Sequence, residues 1–450
     1  MTRTHLMRCS GGRLLPGVIA CCVILAGCDV TNPGRILDED LNNELTFRAL
    51  VTGMSSDFSE GFMDLNFTMA RANDEITGSG SYFTTGLVRI GIFERDDMND
   101  QWGSMHRARW VAESGLERMR EAMDDATFNA SPLTARAYLL AAFAHRALGE
   151  CACYAVIDGS GVLSHEVHFD SAVARADEAI RIGQAAGESD IVTAAYGVRA
   201  QANMHLRNWA AAAADANRIA TDFEYIAYYD ANSGRENNTV YVETHQRAEM
   251  SVYGTYAATL NPPVNPATDL GGDPRAPWFD CTDAANRPAD CNSHQGADGL
   301  TPHYMQRKYD NLGADVPLVK GTEMRLIEAE AELNGTANLG TFVGLVNQAR
   351  SHYGLGPLAT PATANDAWIM LDNERQLTLW LEVRRQADAR RWDEDGRAFM
   401  PAVQYIMGLT ATPYEKDPGI AKRMTCVPIS FDECSTNPNL AGAPECEGNY

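Results

Sequence analysis

One C-terminal segment carries charged residues at a spacing that brings them to one side of a helix. In ERQLTLWLEVRRQADARRW, residues 374–392, acids and arginines alternate three positions apart at Glu382, Arg385, Asp388 and Arg391. We expect one helix over residues 365–392, on which side chains three apart form a ladder of ion pairs. An unpaired carboxylate in this set could act as a general acid or base. Alternation with arginine instead predicts a structural network that keeps each charge ionised.

Other patterns that could carry catalysis or bind a metal are weak. HEVH places His165 and His168 three residues apart, a spacing that could hold a metal on a helix, but the neighbouring residues predict loop histidines. The sequence has no HExxH, no CxxC and no GxSxG. Its acid-rich stretches lack the ligand order of a calcium-binding loop. We therefore expect no metal and no other cofactor.

The cysteines suit an exported protein rather than a zinc site. Disulfides form in oxidising compartments, and an odd number of cysteines leaves one thiol over. After residue 28, spacing favours two disulfides that close short loops, and a third that forms if the C-terminal tail folds back. The two local pairs are Cys281–Cys291 and Cys434–Cys446, and the third is Cys153–Cys426. Cys151 is the remaining thiol.

The first residues have the organisation of a bacterial export signal. Three arginines precede an apolar stretch at residues 14–26, and no acid occurs before Asp29. This pattern predicts a signal peptide over residues 1–27. The closing tetrad LAGC looks like a lipobox, in which the thiol of Cys28 is acylated and then becomes the new N-terminus. The alternative is an ordinary signal peptide, with Cys28 an incidental thiol.

The acidic composition limits the classes of partner. The formal net charge is −23 over 450 residues, and removal of a signal peptide with three arginines would make the chain more acidic still. Phosphates of nucleic acids would repel such a chain, so we expect no nucleic-acid partner. The hydrophobic content of 45% is enough for a sizeable core.

Residues 100–222 predict consecutive helices with an internal repeat. AYLLAAFAHRALGE at 137–150 aligns with AYGVRAQANMHLRN at 195–208, and Phe169 or Trp209 opens the helix that follows. Small residues at fixed offsets let helices approach closely, as in stacked helical hairpins. The segment is similar to tetratricopeptide repeats, although CACYAVIDGSGVLSHEVH interrupts the period. A generic helical bundle is the alternative.

The remaining chain divides by composition. Residues 225–318 are rich in Asn, Gly, Pro and Tyr and predict a loop-rich region, which more often carries function than a regular element does. Helical periodicity returns over residues 319–400, and residues 401–450 form a cysteine-containing tail. We expect a linker at residues 28–45 and a single domain over residues 46–450.

The C-terminal segments resemble a known family. The 374–392 stretch resembles the closing motif of SusD/RagB-like outer-membrane lipoproteins, E-R-R-L-E-L-x-F-E-G-x-R-x-x-D-L-R-R, but has Thr378 and Val383 in place of an acid and the glycine. VPLVKGTEMRLIEAEAEL, LVNQARSHYGLGPL and DVTNPGRILDEDLN resemble other segments of that family. The matching residues of the closing motif are Glu374, Arg375, Leu377, Leu379, Glu382, Arg385, Asp388, Arg390 and Arg391.

The resemblance implies a mainly α-helical fold, with tetratricopeptide-like repeats packed against a loop-rich ligand-binding region. It also implies a non-catalytic lipoprotein of the outer membrane that faces the cell exterior. Such a protein binds oligosaccharides or peptides and hands them to a SusC-type TonB-dependent transporter. Because the acid Asp29 directly follows Cys28, retention at the inner membrane is the alternative location.

Aromatic residues in loop-like contexts are the candidate ligand contacts, because sugar rings bury CH surface on aromatic faces. Trp278 is the strongest candidate, since Pro277 excludes a helix there and Cys281 could hold the segment rigid. A core position is the alternative for each. The candidates are Tyr82, Phe83, Trp278, Tyr304 and Tyr309. The tryptophans in helical patterns are expected to be structural: Trp102, Trp110, Trp209, Trp368, Trp380 and Trp392.

Two other functions compete with this one. A lipid-anchored glycoside hydrolase needs two carboxylates in a cleft, and with 60 acids in the chain accidental pairs are easy to find. A helical-repeat scaffold of the cell envelope would need no small ligand.

Overall fold

The protein is mainly helical, as the sequence predicts, in a computed structural model that describes residues 42–262, 272–283, 287–406, 424 and 426–447. Cys28 and the predicted signal peptide lie outside the described residues. The α-helices of the described part are α1 (Phe47–Ala72), α2 (Phe83–Arg89), α3 (Asn99–Ala122), α4 (Asp125–Phe128), α5 (Pro132–Cys151), α6 (Glu166–Ala186), α7 (Ser189–His205), α8 (Trp209–Ala216), α9 (Thr239–Tyr241), α10 (Tyr256–Leu260), α11 (Gly321–Asn334), α12 (Leu339–His352), α13 (Ala364–Thr378), α14 (Arg385–Glu394), α15 (Pro401–Ile406) and α16 (Phe431–Thr436).

Short strands occur as antiparallel pairs. In the described part of the chain the pairs are β1 with β5, β2 with β3, β4 with β8, and β6 with β7. Most of them lie in or beside the loop-rich region. The strands are β1 (Thr77–Gly78), β2 (Tyr154–Ala155), β3 (Leu163–Ser164), β4 (Glu224–Ala227), β5 (Met250–Ser251), β6 (Trp278–Asp280), β7 (Tyr304–Gln306) and β8 (Val316–Lys320).

Helices α3, α5 to α8, α11 and α12 pack against one another in succession. Local signals set their ends: the Ser131 hydroxyl caps α5 ahead of Pro132, and Gly187 closes α6 in the left-handed conformation at φ +78°. The repeated alanines are fully buried, and the space beside Gly149 is filled by the ring of Phe169. The chain runs through successive contacts of α5 with α6, α6 with α7, α7 with α8, α8 with α11 and α11 with α12.

The predicted helix over residues 365–392 is wrong in one respect, because it is broken in the middle. α13 ends at Thr378 and α14 begins at Arg385, with Leu381 at φ +59° and Val383 at φ +69° between them. A non-glycine residue rarely adopts positive φ, and Val383 stands where the family motif has glycine. The break lets Trp380 enter the core, where its indole N–H donates to the backbone carbonyl of Glu75 at 3.1 Å.

Because of this break, the prediction of an ion ladder along one helix face is wrong. Only Asp388 and Arg391 pair along one helix, at 3.1 Å. Glu382 contacts Lys308 of the loop-rich region and Lys320 at the end of β8, because it lies outside both helices. The remaining contacts cross between helices: Arg385 with Asp372 at 3.4 Å, Asp388 with Arg375 at 2.7 Å, and Arg391 with Glu330 at 2.8 Å. These charges are buried, so each requires a partner of its own.

Three disulfides join cysteines of the described residues, Cys153–Cys426, Cys281–Cys291 and Cys434–Cys446. Cys151 is free and buried, and burial raises the pKa of its thiol to about 12. The first disulfide fixes the C-terminal tail to the end of α5. Arg95 holds the other end of the tail, because its guanidinium donates to the backbone carbonyls of Glu445 and Cys446.

Gly321, where β8 meets α11, leaves no room for a side chain. A Cβ there would lie 1.9 Å from the carbonyl oxygen of Ala220 and 2.7 Å from the Cα of Thr221. Because these are backbone atoms, they cannot move aside cheaply. We expect Gly321→Ala to lower the free energy of unfolding by about 3 kcal/mol, measured by urea denaturation. The control Gly344→Ala has open space around its Cβ in α12 and should be neutral or stabilising. Equal stability of the two variants would contradict the close contact.

The buried carboxyl of Glu75 makes stability depend on pH. Burial raises its pKa from 4.5 to about 7, although the Leu381 N–H and the Arg385 and Lys308 charges act in the opposite direction. Between these values the folded state binds a proton that the unfolded state has lost. The free energy of unfolding therefore falls as pH rises through that window.

We expect Glu75→Gln to remove this dependence, because its amide does not titrate. The stability advantage of the variant should grow, on the order of 3 kcal/mol, as pH rises from 4.5 to about 7. Denaturation series at several pH values measure this difference. Glu121→Gln, on the exposed side of α3, is the surface control. A difference between Glu75→Gln and wild type that does not change with pH would contradict the shifted pKa.

Candidate functional site

Two of the five aromatic candidates are core residues, and for them the expectation of a ligand-facing ring is wrong. Trp278 is 3% exposed, and its indole N–H donates to the carbonyl of Asn261 at 3.0 Å. Tyr309 is 2% exposed, and its hydroxyl donates to the carbonyl of Leu381 at 2.9 Å. Proline excludes a helix around Trp278 but allows a strand, and the pairing of β6 with β7 turns this indole inward.

Tyr304 lies one layer further out. Its ring stacks on Trp278 with centroids 4.6 Å apart and meets the edge of Tyr253 at 5.2 Å. The ring is half-buried, so part of it is accessible to solvent. Trp278 therefore supports the half-exposed ring of Tyr304 and is not itself accessible to a ligand.

Tyr82 and Phe83 are the most exposed of the predicted contacts, at 40% and 79%. They stand at the beginning of α2, a few residues beyond β1. β1 pairs with β5, with Thr77 opposite Ser251, and this pairing carries the two rings to the loop-rich region. An exposed aromatic pair on a short, anchored element is available to stack on a ligand.

Glu249 ties the segment before Tyr82 to the residues that lead into β5. One carboxylate oxygen of Glu249 accepts from the backbone N–H of Ser81 at 2.9 Å. A Cβ on Gly80 would lie 1.5 Å from the same oxygen, so the close approach requires glycine there. The position of Tyr82 is therefore fixed by contacts on both sides of the strand pair.

Arg247 and Glu243 supply charged groups beside the rings. The guanidinium of Arg247 lies 5.1 Å from the centroid of the Tyr82 ring, donates to the Tyr82 hydroxyl and pairs with Glu243 at 3.2 Å. Burial and the charge of Glu249 raise the pKa of Glu243 to about 7, against the opposing effect of Arg71. Burial lowers the pKa of Arg71 to about 10.

We call Tyr82, Phe83, Arg247, Glu243 and Glu249 the aromatic surface. Its exposed rings can cover the CH face of a sugar, and the arginine can donate hydrogen bonds to hydroxyls. Glu243 and Glu249 are buried, and they hold Arg247 and the Ser81 backbone in place. Sequence reasoning missed the three charged residues. They belong to no motif, and the pairing of β1 with β5 across some 170 positions could not be deduced from the residues.

The described residues contain no cluster of histidine, cysteine and acidic side chains suited to a metal ion. His168 is not a loop residue, since it lies in the first turn of α6 and is fully buried. Its Nδ1 is 3.0 Å from that of His145, and burial lowers the pKa of His168 well below its ordinary value. His168 is therefore part of the helical core, whereas His165 stands just before α6 and is half-buried.

Two cavities lie among the helices, and none of their lining residues belongs to the aromatic surface. A groove of about 930 Å³ runs between α8 and the α11–α12 hairpin, where Trp209 and several alanines line it. A cleft of about 510 Å³ lies where α3, α5 and α6 meet. None of the helices in the described chain has the length and hydrophobicity needed to span a bilayer.

Comparison with known proteins agrees with this architecture. The sequence profile of the SusD family matches residues 304–445, from β7 to the C-terminal tail. No curated protein shows significant sequence similarity to the chain.

Several solved structures share the fold at low sequence identity. A SusD/RagB family protein of Bacteroides thetaiotaomicron superposes with a TM-score of 0.64 at 14% identity, covering 88% of this chain and 95% of that one. A SusD superfamily protein of Parabacteroides distasonis superposes with a TM-score of 0.64 at 14% identity, covering 88% of this chain and 98% of that one. A SusD-like carbohydrate binding protein of Bacteroides fragilis superposes with a TM-score of 0.59 at 14% identity, covering 89% of this chain and 99% of that one. The chain therefore shares the fold of SusD/RagB family proteins, and its C-terminal segment, residues 304–445, matches the SusD family profile.

Proposed function

We propose that this protein is a non-catalytic, lipid-anchored protein of the outer cell surface that binds oligosaccharides at the aromatic surface. We propose further that it hands them to a SusC-type TonB-dependent transporter. Relatives of the same fold from Bacteroides vulgatus and Bacteroides fragilis are described as carbohydrate binding proteins, which supports the class of ligand. Peptides are the alternative ligand within this proposal.

The observation that carries the proposal is the exposure of Tyr82 and Phe83 beside Arg247. Large apolar rings exposed in pairs are unusual on a soluble surface unless they meet a partner. Here they adjoin a half-exposed arginine, so that an apolar face lies beside a hydrogen-bond donor, as a sugar ring requires. The strand pairing and the Glu249 contact hold the rings in place, so little conformational entropy is lost on binding.

The rest of the chain has a role in the same proposal. Acylation of Cys28 would anchor the protein, and residues 28–45 would link the anchor to the folded body over residues 46–450. Most aromatic residues of the stacked helices pack against other helices. These helices would form the surface that faces the transporter. The loop-rich region, residues 225–318, would supply the ligand side together with α2.

The test is binding of neutral oligosaccharides, for which a panel of glucose, mannose and xylose oligomers serves as the probe. The double variant Tyr82→Ala/Phe83→Ala should bind about 10- to 100-fold more weakly by calorimetry, because exposed rings at a binding site contribute about 1–3 kcal/mol. Its melting temperature should stay close to that of wild type, since both rings face solvent.

Tyr228→Ala is the matched control, because Tyr228 is 60% exposed but lies outside the aromatic surface. This variant should keep wild-type affinity. Binding of the oligosaccharides that is unaffected by the double variant would place the ligand elsewhere. Binding of a tryptic peptide pool instead, lost in the same double variant, would assign the surface to peptides.

A glycoside hydrolase is the second candidate, and one observation favours it. The raised pKa of Glu243, beside Glu249 and an aromatic pair, is the kind of perturbation found in a general acid. Release of reducing ends from the same oligosaccharides, abolished by Glu243→Gln, would establish hydrolysis. Retention of intact oligosaccharides without release would support binding alone.

A further inference from the structure

A second site is suggested by the cleft between α3, α5 and α6. Its volume of about 510 Å³ falls within the range of small-molecule sites, about 300–1,000 Å³. It lies in the helical half of the molecule and shares no residue with the aromatic surface. Its lining combines an exposed tryptophan with a set of charged side chains.

Trp110 borders this cleft, and here the expectation of a structural tryptophan is wrong. Its residue is 53% exposed, whereas Trp102, two turns earlier on the same helix, is 4% exposed. The indole of Trp110 is therefore not required for the core. An accessible indole at the rim of a cavity offers a flat apolar face to a ring-shaped ligand.

The charged groups of the cleft are held in fixed positions. Arg109 is 5% exposed and pairs with Asp158 at 2.7 Å, while its Nε has no hydrogen-bond partner within the described residues. Glu113 accepts from Arg175 at 2.7 Å, and His145 Nε2 lies 3.2 Å from the same oxygen. Burial lowers the pKa of His145, so its ring is neutral near pH 7.

The cleft as a whole carries no net charge. Arginines and acids among its lining residues are equal in number: Arg109, Arg120 and Arg175 against Glu113, Glu117 and Asp158. An anionic ligand would have to displace carboxylates, and a cationic ligand would have to displace arginines. A neutral ligand rich in hydroxyls can instead exchange hydrogen bonds with both kinds of group.

One wall of the cleft comes from the segment that interrupts the helical repeat. Asp158 stands there in a left-handed conformation at φ +50°, in a turn closed by the hydrogen bond from Ser160 N–H to the carbonyl of Ile157 at 3.0 Å. Aspartate tolerates this conformation better than most residues. The interruption therefore places a carboxylate beside Arg109, which a regular repeat would not provide.

The C-terminal tail fixes this wall from behind. The Asn439 side chain donates to the carbonyl of Gly159 at 2.7 Å, and that of Asn437 donates to the carbonyl of Ser160 at 3.0 Å. The tail is cross-linked by the disulfides Cys434–Cys446 and Cys153–Cys426. The loop is thus held in place before any ligand arrives, which lowers the entropic cost of binding.

We propose that this cleft is a second carbohydrate site, which takes one neutral glycosyl residue with its apolar face on Trp110 and its hydroxyls among Arg109, Glu113, Asp158 and Arg175. The two sites would engage different parts of one long glycan or two separate chains. The proposal stands on the cleft itself and does not require the aromatic surface to bind anything.

Fluorine NMR of the full chain labelled with fluorotryptophan tests this second site. The Trp110→Phe variant identifies the Trp110 signal among those of the seven tryptophans. Neutral methyl glycosides of glucose, galactose, mannose, xylose and N-acetylglucosamine are the probes, and glucuronate is the anionic control. We expect at least one neutral glycoside to shift the Trp110 signal saturably, and glucuronate to leave it unchanged.

Two variants locate the binding. Arg175→Gln should weaken the response about tenfold, because it removes a charged hydrogen-bond donor from a half-exposed position without disturbing the core. The Tyr82→Ala/Phe83→Ala variant should leave the response unchanged. The proposal is overturned if no neutral glycoside shifts the Trp110 signal, or if glucuronate alone shifts it. An undiminished response in Arg175→Gln also overturns it. None of these results bears on oligosaccharide binding at the aromatic surface.

Discussion

Replacing Arg384 with methionine is expected to lower the free energy of unfolding by about 3–5 kcal/mol, the cost of breaking a buried charge network by removing one partner. Arg384 is 2% exposed and pairs with Glu150 at 3.3 Å and Glu323 at 3.2 Å. Both carboxylates are at most 1% exposed, so water cannot replace the lost guanidinium. Methionine fills much of the volume, and the loss therefore reports charge rather than a cavity.

Arg384 also joins parts of the chain that are distant in sequence. Its guanidinium donates to the carbonyl of Leu318 at 2.9 Å, at the end of the loop-rich region, and Glu150 belongs to α5. Burial lowers the pKa of Arg384, but Glu150 and Glu323 raise it above the ordinary arginine value, so the residue stays charged. Its loss should destabilise the helical repeats and the C-terminal helices together.

Arg181→Met is the matched control for this experiment. Arg181 also pairs with a glutamate, Glu178, but its side chain is 49% exposed. An exposed ion pair contributes less than about 1 kcal/mol, so this variant should unfold at nearly the same denaturant concentration as wild type. Urea denaturation followed by circular dichroism compares the two. Similar losses in both variants would show that Arg384 does not hold a buried network together.

Trp278→Ala is expected to cost about 3–5 kcal/mol of stability, the range observed when a buried tryptophan is truncated. The substitution removes the hydrogen bond to the Asn261 carbonyl and the stacking surface beneath Tyr304. A large fall in melting temperature should result. Oligosaccharide affinity should change little at temperatures where the variant is folded, because Trp278 is not part of the aromatic surface.

Trp110→Ala is the comparison for Trp278→Ala. Both are tryptophan truncations, but Trp110 is 53% exposed and Trp278 is 3% exposed. Calorimetry should show a melting temperature near that of wild type for Trp110→Ala and a strongly lowered one for Trp278→Ala. If Trp278→Ala melted like wild type and bound glycans more weakly, Trp278 would be a ligand contact after all.

The helical architecture was predictable because its signals are local. Phe342, Val346 and Ala349 recur at helical spacing in α12, and these residues are all fully buried. Capping residues such as Ser131 and Gly187 act within one turn of the helix that they end, so a reader of the sequence can locate them. Cysteine spacing was informative for a similar reason, since short loops close with little entropy cost.

The break in the C-terminal helix could not be predicted from the residues. The segment from Leu379 to Arg384 has ordinary helix-forming composition, and its ion pattern suited a continuous helix. What decides against the helix is a set of distant partners: Glu75 binds the backbone N–H of Leu381, and Lys308 and Lys320 bind Glu382. Tertiary contacts such as these outweigh local helix propensity, which amounts to less than about 1 kcal/mol per residue.

The sequence by itself determined the helix-forming segments, the two local cysteine pairs and the resemblance to a family, because periodicity, capping and spacing act over a few residues. Only the tertiary structure decided which aromatic rings face solvent. Trp278 and Trp110 exchange their expected roles, since exposure depends on whether another part of the chain covers a ring. The charged residues of the aromatic surface likewise meet Tyr82 only after β1 pairs with β5, a contact between segments far apart in the chain.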